Sequence, residues 1–221
     1  LNGGLQVPLF VGPDGKRVQS AGDFNIDIAY SALSCGANTV DISATDTAGN
    51  VATERVNVFY YCNTYWPRAY SIDWGTVTNI QDVAQIVDGS WSLEGTGIRP
   101  VITGYDGLIA IGDIDPTWKD YEVTVPITLN SPLNSSVPYG PIFGIIIHWQ
   151  GHYDWDGTQP RWGWWPLGAM GIYDWVPQNN DYRLRIVGNA ENSIAEDLSG
   201  RHLSVGVPYI FKMRAETVSN K

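Results

Sequence analysis

Three stretches of this chain alternate apolar and polar residues one for one, and a period of two is a strand period that no helix shares. In residues 121–127, Tyr121, Val123, Val125 and Ile127 alternate with Glu122 and Thr124. In 182–186, Tyr182, Leu184 and Ile186 alternate with Arg183 and Arg185; in 209–215, Tyr209, Phe211, Met213 and Ala215 alternate with Lys212 and Arg214. Each reads as a strand with one face on a core. A fourth run, 142–150, sets Phe143, Ile145, Ile147 and Trp149 against Gly144, Ile146, His148 and Gln150. Strand-like runs at 70–74, 83–87, 90–100, 107–112 and 169–175 bring the total beyond residue 69 to nine. No amphipathic helical pattern interrupts them. The expected fold is all-β, with a two-sheet jelly-roll β-sandwich over residues 63–221.

Residues 1–62 carry a second pattern. Alternating runs at 39–45 and 51–60 are separated by Asp46-Thr47-Ala48-Gly49-Asn50, a turn sequence, so a β-hairpin is expected. Cys35 and Cys62, the only two cysteines, flank it almost symmetrically. Where the arms end, they would meet at the roughly 5.5–6 Å Cα separation of a disulfide; two unpaired buried thiols are the alternative. An oxidised pair places the protein outside the cell, secreted or on the surface. Upstream, Gly-Pro-Asp-Gly at 12–15 and Leu-Ser-Cys-Gly at 33–36 separate what should be further strands. Asp41 and Asp46 are open to Ca²⁺ or, as turn aspartates more often do, to capping their own backbone. Periodicity lapses at Asn63-Thr64-Tyr65-Trp66-Pro67, which marks a boundary between domains at 1–62 and 63–221.

Charge excludes some partners. Thirteen basic against 23 acidic residues give a net charge of -10, without the dominant positive field that a nucleic-acid or anionic-membrane surface needs. No apolar run approaches the roughly 20 residues of a membrane-spanning helix. A signal-peptide pattern is absent as well. Starting at Leu1 and stopping in a strand-like stretch, the chain is expected to belong to a longer polypeptide with neighbouring domains.

The hairpin sequence Ala44-Thr45-Asp46-Thr47-Ala48-Gly49-Asn50 resembles the end of a bacterial immunoglobulin-like repeat of the hyalin-repeat type, whose last hairpin turns through ATDxAGN. That resemblance implies a spacer or adhesive stalk. Because a full sandwich of this kind takes about 100 residues, one or more early strands are expected to be missing. Further on, residues Leu108-Ile109-Ala110-Ile111-Gly112-Asp113, Trp118-Lys119-Asp120-Tyr121-Glu122-Val123-Thr124-Val125 and Gly144-Ile145-Ile146-Ile147-His148-Trp149-Gln150-Gly151 resemble the concanavalin A-like lectin/glucanase class, which includes laminin-G-type and pentraxin-type jelly rolls. This second resemblance implies a sugar-facing concave sheet and often a Ca²⁺ ion. It does not imply catalysis, because fold and function separate.

Residues 142–175 hold six of the ten tryptophans and two of the three histidines. Aromatics beside a few placed polar groups are the furniture of a sugar site; a plug over the end of a core is the alternative. Stacking is expected from Tyr153, Trp155, Trp162 and Tyr173, and polar contacts from His148, Gln150, Arg183 and Arg185. If the alternating strands share one sheet, Glu122, Lys212 and Arg214 join those arginines on a face able to grip an anionic glycan. Plain solubility of a convex face explains the same residues. Gly144 is expected to leave room for a ligand in mid-strand. Asp113 with Asp115, and Asp154 with Asp156, have a spacing that a Ca²⁺ loop uses, although neither pair supplies the six to eight oxygens alone. Zinc is not expected from three scattered histidines and two paired cysteines.

Catalysis finds less support. A retaining glycosidase needs two carboxyls about 5–5.5 Å apart, and the Glu-x-Asp-x-(x)-Glu strand of glucanases with this fold is missing. Glu94, Glu122, Asp174 and Asp181 remain as unmarked carboxylates. Ile147-His148-Trp149-Gln150 is loosely similar to the Gln-Ile-His strand of alginate lyases, with Ile146 where the Gln would stand and no Tyr-x-Lys-x-Gly-x-Tyr motif downstream. The sequence therefore leads to a non-catalytic polysaccharide-binding module. A lyase or glycoside hydrolase of the same fold, and a structural adhesion module, are the alternatives.

Overall fold

The computed structural model describes residues 1–62, 66–112, 118–132, 142–153, 157–164, 166–176 and 180–217. Over these residues the chain is all-β, as its alternation requires: every strand pairing is antiparallel, and the only helical pieces are single 3-10 turns at Tyr30–Ala32 and Ile80–Asp82. No helix among the described residues is long and apolar enough to cross a membrane. Packing divides the chain into two compact units, Leu1–Asp113 with Asp154–Trp162, and Ile114–Tyr153 with Gly163–Lys221. These are groupings by contact.

The first unit contains the expected hairpin, β1 (Gly36–Thr45) and β2 (Val51–Tyr60), in register from Gly36↔Tyr60 to Thr45↔Val51. Its turn satisfies its own donors. The Asp46 carboxylate accepts from the backbone N–H of Ala48 and Asn50 at 2.9 and 2.8 Å and from the Asn50 amide at 2.8 Å. The Asn50 side chain, and then its backbone, hold Asp46 below the usual aspartate range. Capping is thus the role Asp46 fills, while Asp41 pairs across the hairpin with Arg55. Cys35 and Cys62 are joined, with Cα atoms 5.4 Å apart and 27 residues of separation. Closing a loop of that length removes about 3.5 kcal/mol of chain entropy from the unfolded state.

Two expected strand regions are corrected. Among the described residues no strand precedes Gly36. A strand exists only where another edge pairs with it, and here the backbone is satisfied piecemeal: Gly12 N–H donates to Asp23, Asp14 N–H to Val18, and the Asp14 carboxylate caps Lys16 and Val18. Residues 70–74 run into a turn, closed by Thr76 N–H donating to the Asp73 carbonyl. The other runs form β3 (Gln85–Asp88) paired with β6 (Leu108–Ala110), and a small hairpin of β4 (Trp91–Glu94) and β5 (Gly97–Pro100). At the centre lies Arg17, 4% exposed, ion-paired with Asp88 and Asp27 and donating to the carbonyls of Arg161 and Val87. Burial opposes its charge, but the bonds to Asp27 and Asp88 outweigh that and raise its pKa above the ordinary arginine value. Asp27 also accepts from Arg161 N–H at 2.8 Å, and its own N–H donates to Gln159 Oε1 at 3.0 Å. Residues 157–162 are thereby tied into this unit.

The second unit is built of facing sheets. Four strands, in the order β11 (Ser193–Glu196), β10 (Asp181–Val187), β9 (Ala169–Val176), β8 (Ile142–Ile147), face a pair, β12 (Pro208–Ala215) and β7 (Tyr121–Thr128). Strand β12 lies over β8 and β9. Phe211 meets Phe143 at 5.6 Å between ring centroids, and Met213 sits on Gly171, where a Cβ would come within 2.8 Å of its sulfur. On the opposite face of the four-stranded sheet, Ile172 and Val187 pack with Leu167, Trp164 and Met170.

Candidate functional site

The start of β7 and the end of β8 meet at one corner of the second unit. Just past Ile147 the chain turns through His148 with φ +57°, a left-handed conformation that costs a non-glycine residue about 1–3 kcal/mol and recurs at functional sites. Gly168 presses against this turn, since a Cβ there would stand 2.3 Å from the Ile147 carbonyl oxygen. The backbone N–H of His148 donates to the Tyr121 hydroxyl at 2.9 Å. The two rings meet edge to face at 5.0 Å, and Trp118 meets Tyr121 at 5.5 Å in the same manner. His148 is exposed and the other two rings are half-buried. Sequence dictates the arrangement, because Tyr121 is the first inward residue of β7 and Trp118 lies three residues before it.

Polar groups stand on the strands beside Tyr121, with Glu122 and Arg214 on the opposite face of the β12-β7 pair from its ring. Asp120 accepts the Thr217 N–H, and that bond above all holds its carboxyl below the usual aspartate range. An open cleft beside it is lined by Asp120, Tyr121, Glu122, Arg214, Glu216 and Thr217. Glu122 pairs with Lys212 at 2.8 Å, and Arg214 with Glu216. Burial raises the Tyr121 hydroxyl above its ordinary value, only partly offset by the His148 N–H, so it stays protonated at neutral pH. Having accepted that N–H, it retains its own hydrogen to donate. The corner therefore offers apolar ring surface, one hydroxyl donor, an ionised carboxylate and a cleft of mixed charge.

The remaining expected site residues are dispersed. Gln150 is exposed beyond β8, and Tyr153, 46% exposed, forms a two-bond backbone bridge with Gly163. Between them, Trp149, His152 and Trp164 pack ring against ring at 4.7 to 5.3 Å, with His152 only 8% exposed. His152 is thus covered, while Trp149 and Trp164 are half-buried. Trp162 belongs to the first unit, and Lys16 Nζ lies 3.6 Å over its ring, covering one face. Tyr173 is 2% exposed, enclosed by Phe143 and Tyr182, and its hydroxyl accepts Leu203 N–H, so no face is left for a ligand to stack on.

The shared basic face does not form, because its members stand on different sheets. Glu122, Lys212 and Arg214 lie on the β12-β7 pair, Arg183 and Arg185 on β10. Arg185 makes a two-pronged bond to Asp174, which raises its pKa, and Arg183 pairs with Glu196 at 3.0 Å. Strand register sets Asp174 opposite Arg183 and Glu196 opposite Arg185, and each arginine bonds the carboxylate diagonal to it. Gly144 leaves no ligand space either, since a Cβ there would lie 2.1 Å from the Gly171 carbonyl oxygen of the neighbouring strand.

Trp155, Asp154, Asp156, Asp113 and Asp115 lie outside the described residues. Among the described ones, no group of three or more His, Cys, Asp or Glu is placed to hold a metal ion. Trp118, Asp120 and Tyr121 are the corner residues that sequence reasoning passed over. Their signal is an aromatic–Lys–Asp–aromatic cluster directly before a strand. No protein-family model, curated protein or solved structure matches this chain.

Proposed function

We propose that this chain is a non-catalytic carbohydrate-binding module of a larger secreted or cell-surface protein, and that it holds its glycan at the Trp118–Tyr121–His148 corner. One observation carries the reading: three adjoining rings at the rim of a β-sandwich beside a cleft lined by Asp120, Glu122 and Arg214. Sugar rings bring C–H faces to aromatic surface and hydroxyls to charged and hydroxyl groups, and the corner has both. Because Arg183, Arg185 and Arg214 each have a carboxylate partner, a hydroxyl-rich glycan is better supported than a strongly anionic one. Residues 1–62 we read as the end of a bacterial immunoglobulin-like stalk repeat and 63–221 as a concanavalin A-like jelly roll. The disulfide-closed hairpin supports the first reading and an extracellular location; the facing sheets support the second.

A glycan array of neutral and uronate-containing polysaccharides, probed with the 221-residue chain in Ca²⁺ and in chelator, tests this. Hits are then titrated with Trp118→Ala, Tyr121→Phe and His148→Ala. Each variant should weaken binding about 3- to 10-fold, the scale of one aromatic or hydrogen-bond contact. Full affinity in all three would refute the assignment.

The closeness of His148 to the Tyr121 hydroxyl favours a second reading, β-elimination on a uronate. His148 would take the proton from the carbon next to the carboxylate. Tyr121 would return one to the departing glycosidic oxygen as the C=C bond forms. Unsaturated product that vanishes in both His148→Ala and Tyr121→Phe would replace the binding reading with this one.

A further inference from the structure

The first unit contains an open cleft of about 360 Å³ that shares no residue with the His148 corner. Small-ligand sites begin at about 300 Å³. Its floor is apolar. Alternation along β4 puts Trp91 and Leu93 on one face and Ser92 and Glu94 on the other, and β3 adds Ile86 beside them. Ile80, 6% exposed, completes the floor. The rim is polar: Thr78, Asn79 and Gln81 are exposed, and their hydroxyl and carboxamide groups both donate and accept. Among the described residues, none of the lining side chains is ionisable, in a chain with 13 basic and 23 acidic residues.

Both parts are held in place by the fold itself. The Trp91 indole N–H donates to the Asp88 carbonyl at 2.9 Å, and Gly107 lies against the ring, where a Cβ would stand 3.3 Å from Cζ2. Asp88 is in turn locked to Arg17. On the rim, the Asn79 amide accepts Gln81 N–H and donates to Asp82, both at 3.3 Å, which leaves it one N–H and one lone pair. The backbone N–H groups of Asp82, Val83 and Ala84 donate to the Asn79 and Ile80 carbonyls, so a ligand is held by side chains. The lining then selects its chemistry. An anion finds no cation here, and a cation no carboxylate. A pyranose ring suits both parts, with an apolar C–H face for the indole and hydroxyls at its edge for the amides and Thr78.

We propose that this cleft is a second carbohydrate site, which seats one neutral pyranose residue on Trp91 with its hydroxyls bonded to Thr78, Asn79 and Gln81. It extends the carbohydrate-binding reading to the first unit and stands on that unit's residues alone. Cellotriose, laminaritriose, mannotriose and xylotriose, titrated singly into the isotopically labelled 221-residue chain, test it by NMR. At least one should shift the Trp91 indole and Gln81 side-chain amide resonances saturably. Gln81→Ala, read at the indole, and Trp91→Phe, read at the Gln81 amide, should each weaken that binding about 3- to 10-fold, the scale of one hydrogen bond or ring contact. Thr78→Val, at an exposed rim residue, should act in the same direction should Trp91→Phe disturb folding. Gln85→Ala, at an exposed position of β3 outside the cleft, should change nothing, and neither should Trp118→Ala, so that the cleft and the corner are read apart. Raising salt from about 0.05 to about 0.5 M should leave the affinity unchanged. Sorbitol, which has the hydroxyls without the ring face, should give no saturable shift. Unmoved resonances with all four sugars, an equal response to sorbitol, loss of binding in salt, or equal weakening by Gln85→Ala or Trp118→Ala would overturn the proposal.

Discussion

Gly171 is where Met213 of the facing pair packs directly on β9, and replacing it by alanine separates two opposing terms. The new methyl would stand 2.8 Å from Met213 Sδ and 2.9 Å from its Cγ. Overpacking of this kind costs about 1–3 kcal/mol, toward the low end when the neighbour is a flexible methionine. Against it, alanine restricts the unfolded chain more than glycine and gains about 0.5–1 kcal/mol in a strand. Gly171→Ala alone should therefore destabilise by about 0.5–2 kcal/mol. In a Met213→Ala background the obstruction is gone, and the same change should stabilise by about 0.5–1 kcal/mol. The sign reverses, with a coupling of about 1–3 kcal/mol in the range for directly packed pairs. Urea unfolding by tryptophan fluorescence, with hydrogen exchange of β9 amides to isolate this unit, measures all four corners of the cycle. An effect equal in both backgrounds to within about 0.3 kcal/mol would mean that Met213 does not pack on Gly171, and the facing of the sheets would be wrong.

Other perturbations test other parts of the fold. Arg17→Met leaves Asp88, whose side chain is 0% exposed, without its cation, and should cost about 3–5 kcal/mol in urea; adding Asp88→Leu should recover part of it. The same single change should speed exchange at the Arg161 amide, because that N–H donates to Asp27, whose carboxylate is no longer held by Arg17. Cys35→Ser with Cys62→Ser should lower hairpin stability by about 3.5 kcal/mol, seen as faster exchange in β1 and β2 with β9 unaffected. Asp120 is held below the usual aspartate range, so its contribution is present above that range and lost as pH falls through the lowered folded value. The Thr217 amide shift should follow that titration and become flat in Asp120→Asn; a flat profile in the unchanged chain would remove the bond.

The strands were readable where a local pattern decides them. Alternation placed β7, β8, β10 and β12, and the turn sequence at 46–50 placed the hairpin, because the Asx cap of Asp46 is a property of five neighbouring residues. Ser193–Glu196 was missed since all four residues are exposed and show no alternation. Residues 1–35 were overread, because alternation gives a strand its face and only a partner edge gives it existence. Side-chain partners lie furthest from view. That Arg185 answers Asp174 depends on the register of β10 with β9, and that Lys212 and Arg183 stand apart depends on sheet membership. His148 was found from its place in an aromatic run, but Tyr121, which holds it, lies 27 residues away and waited on the fold.

The disulfide at the base of the hairpin also decides how the chain carries a mechanical load. Tension applied at its two ends crosses from Cys35 to Cys62 through the covalent bridge, and the residues between them feel none of it. The ten-residue arms of β1 and β2 can then stay paired at forces that pull apart the sheets downstream, however exposed their faces are. Their contour, about 90 Å at full extension, is length held in reserve. In a stretching experiment it should be missing under oxidising conditions and appear as an added increment of that size once a reductant opens the bridge. Reduction of the bridge, and not load alone, is then what makes this length available.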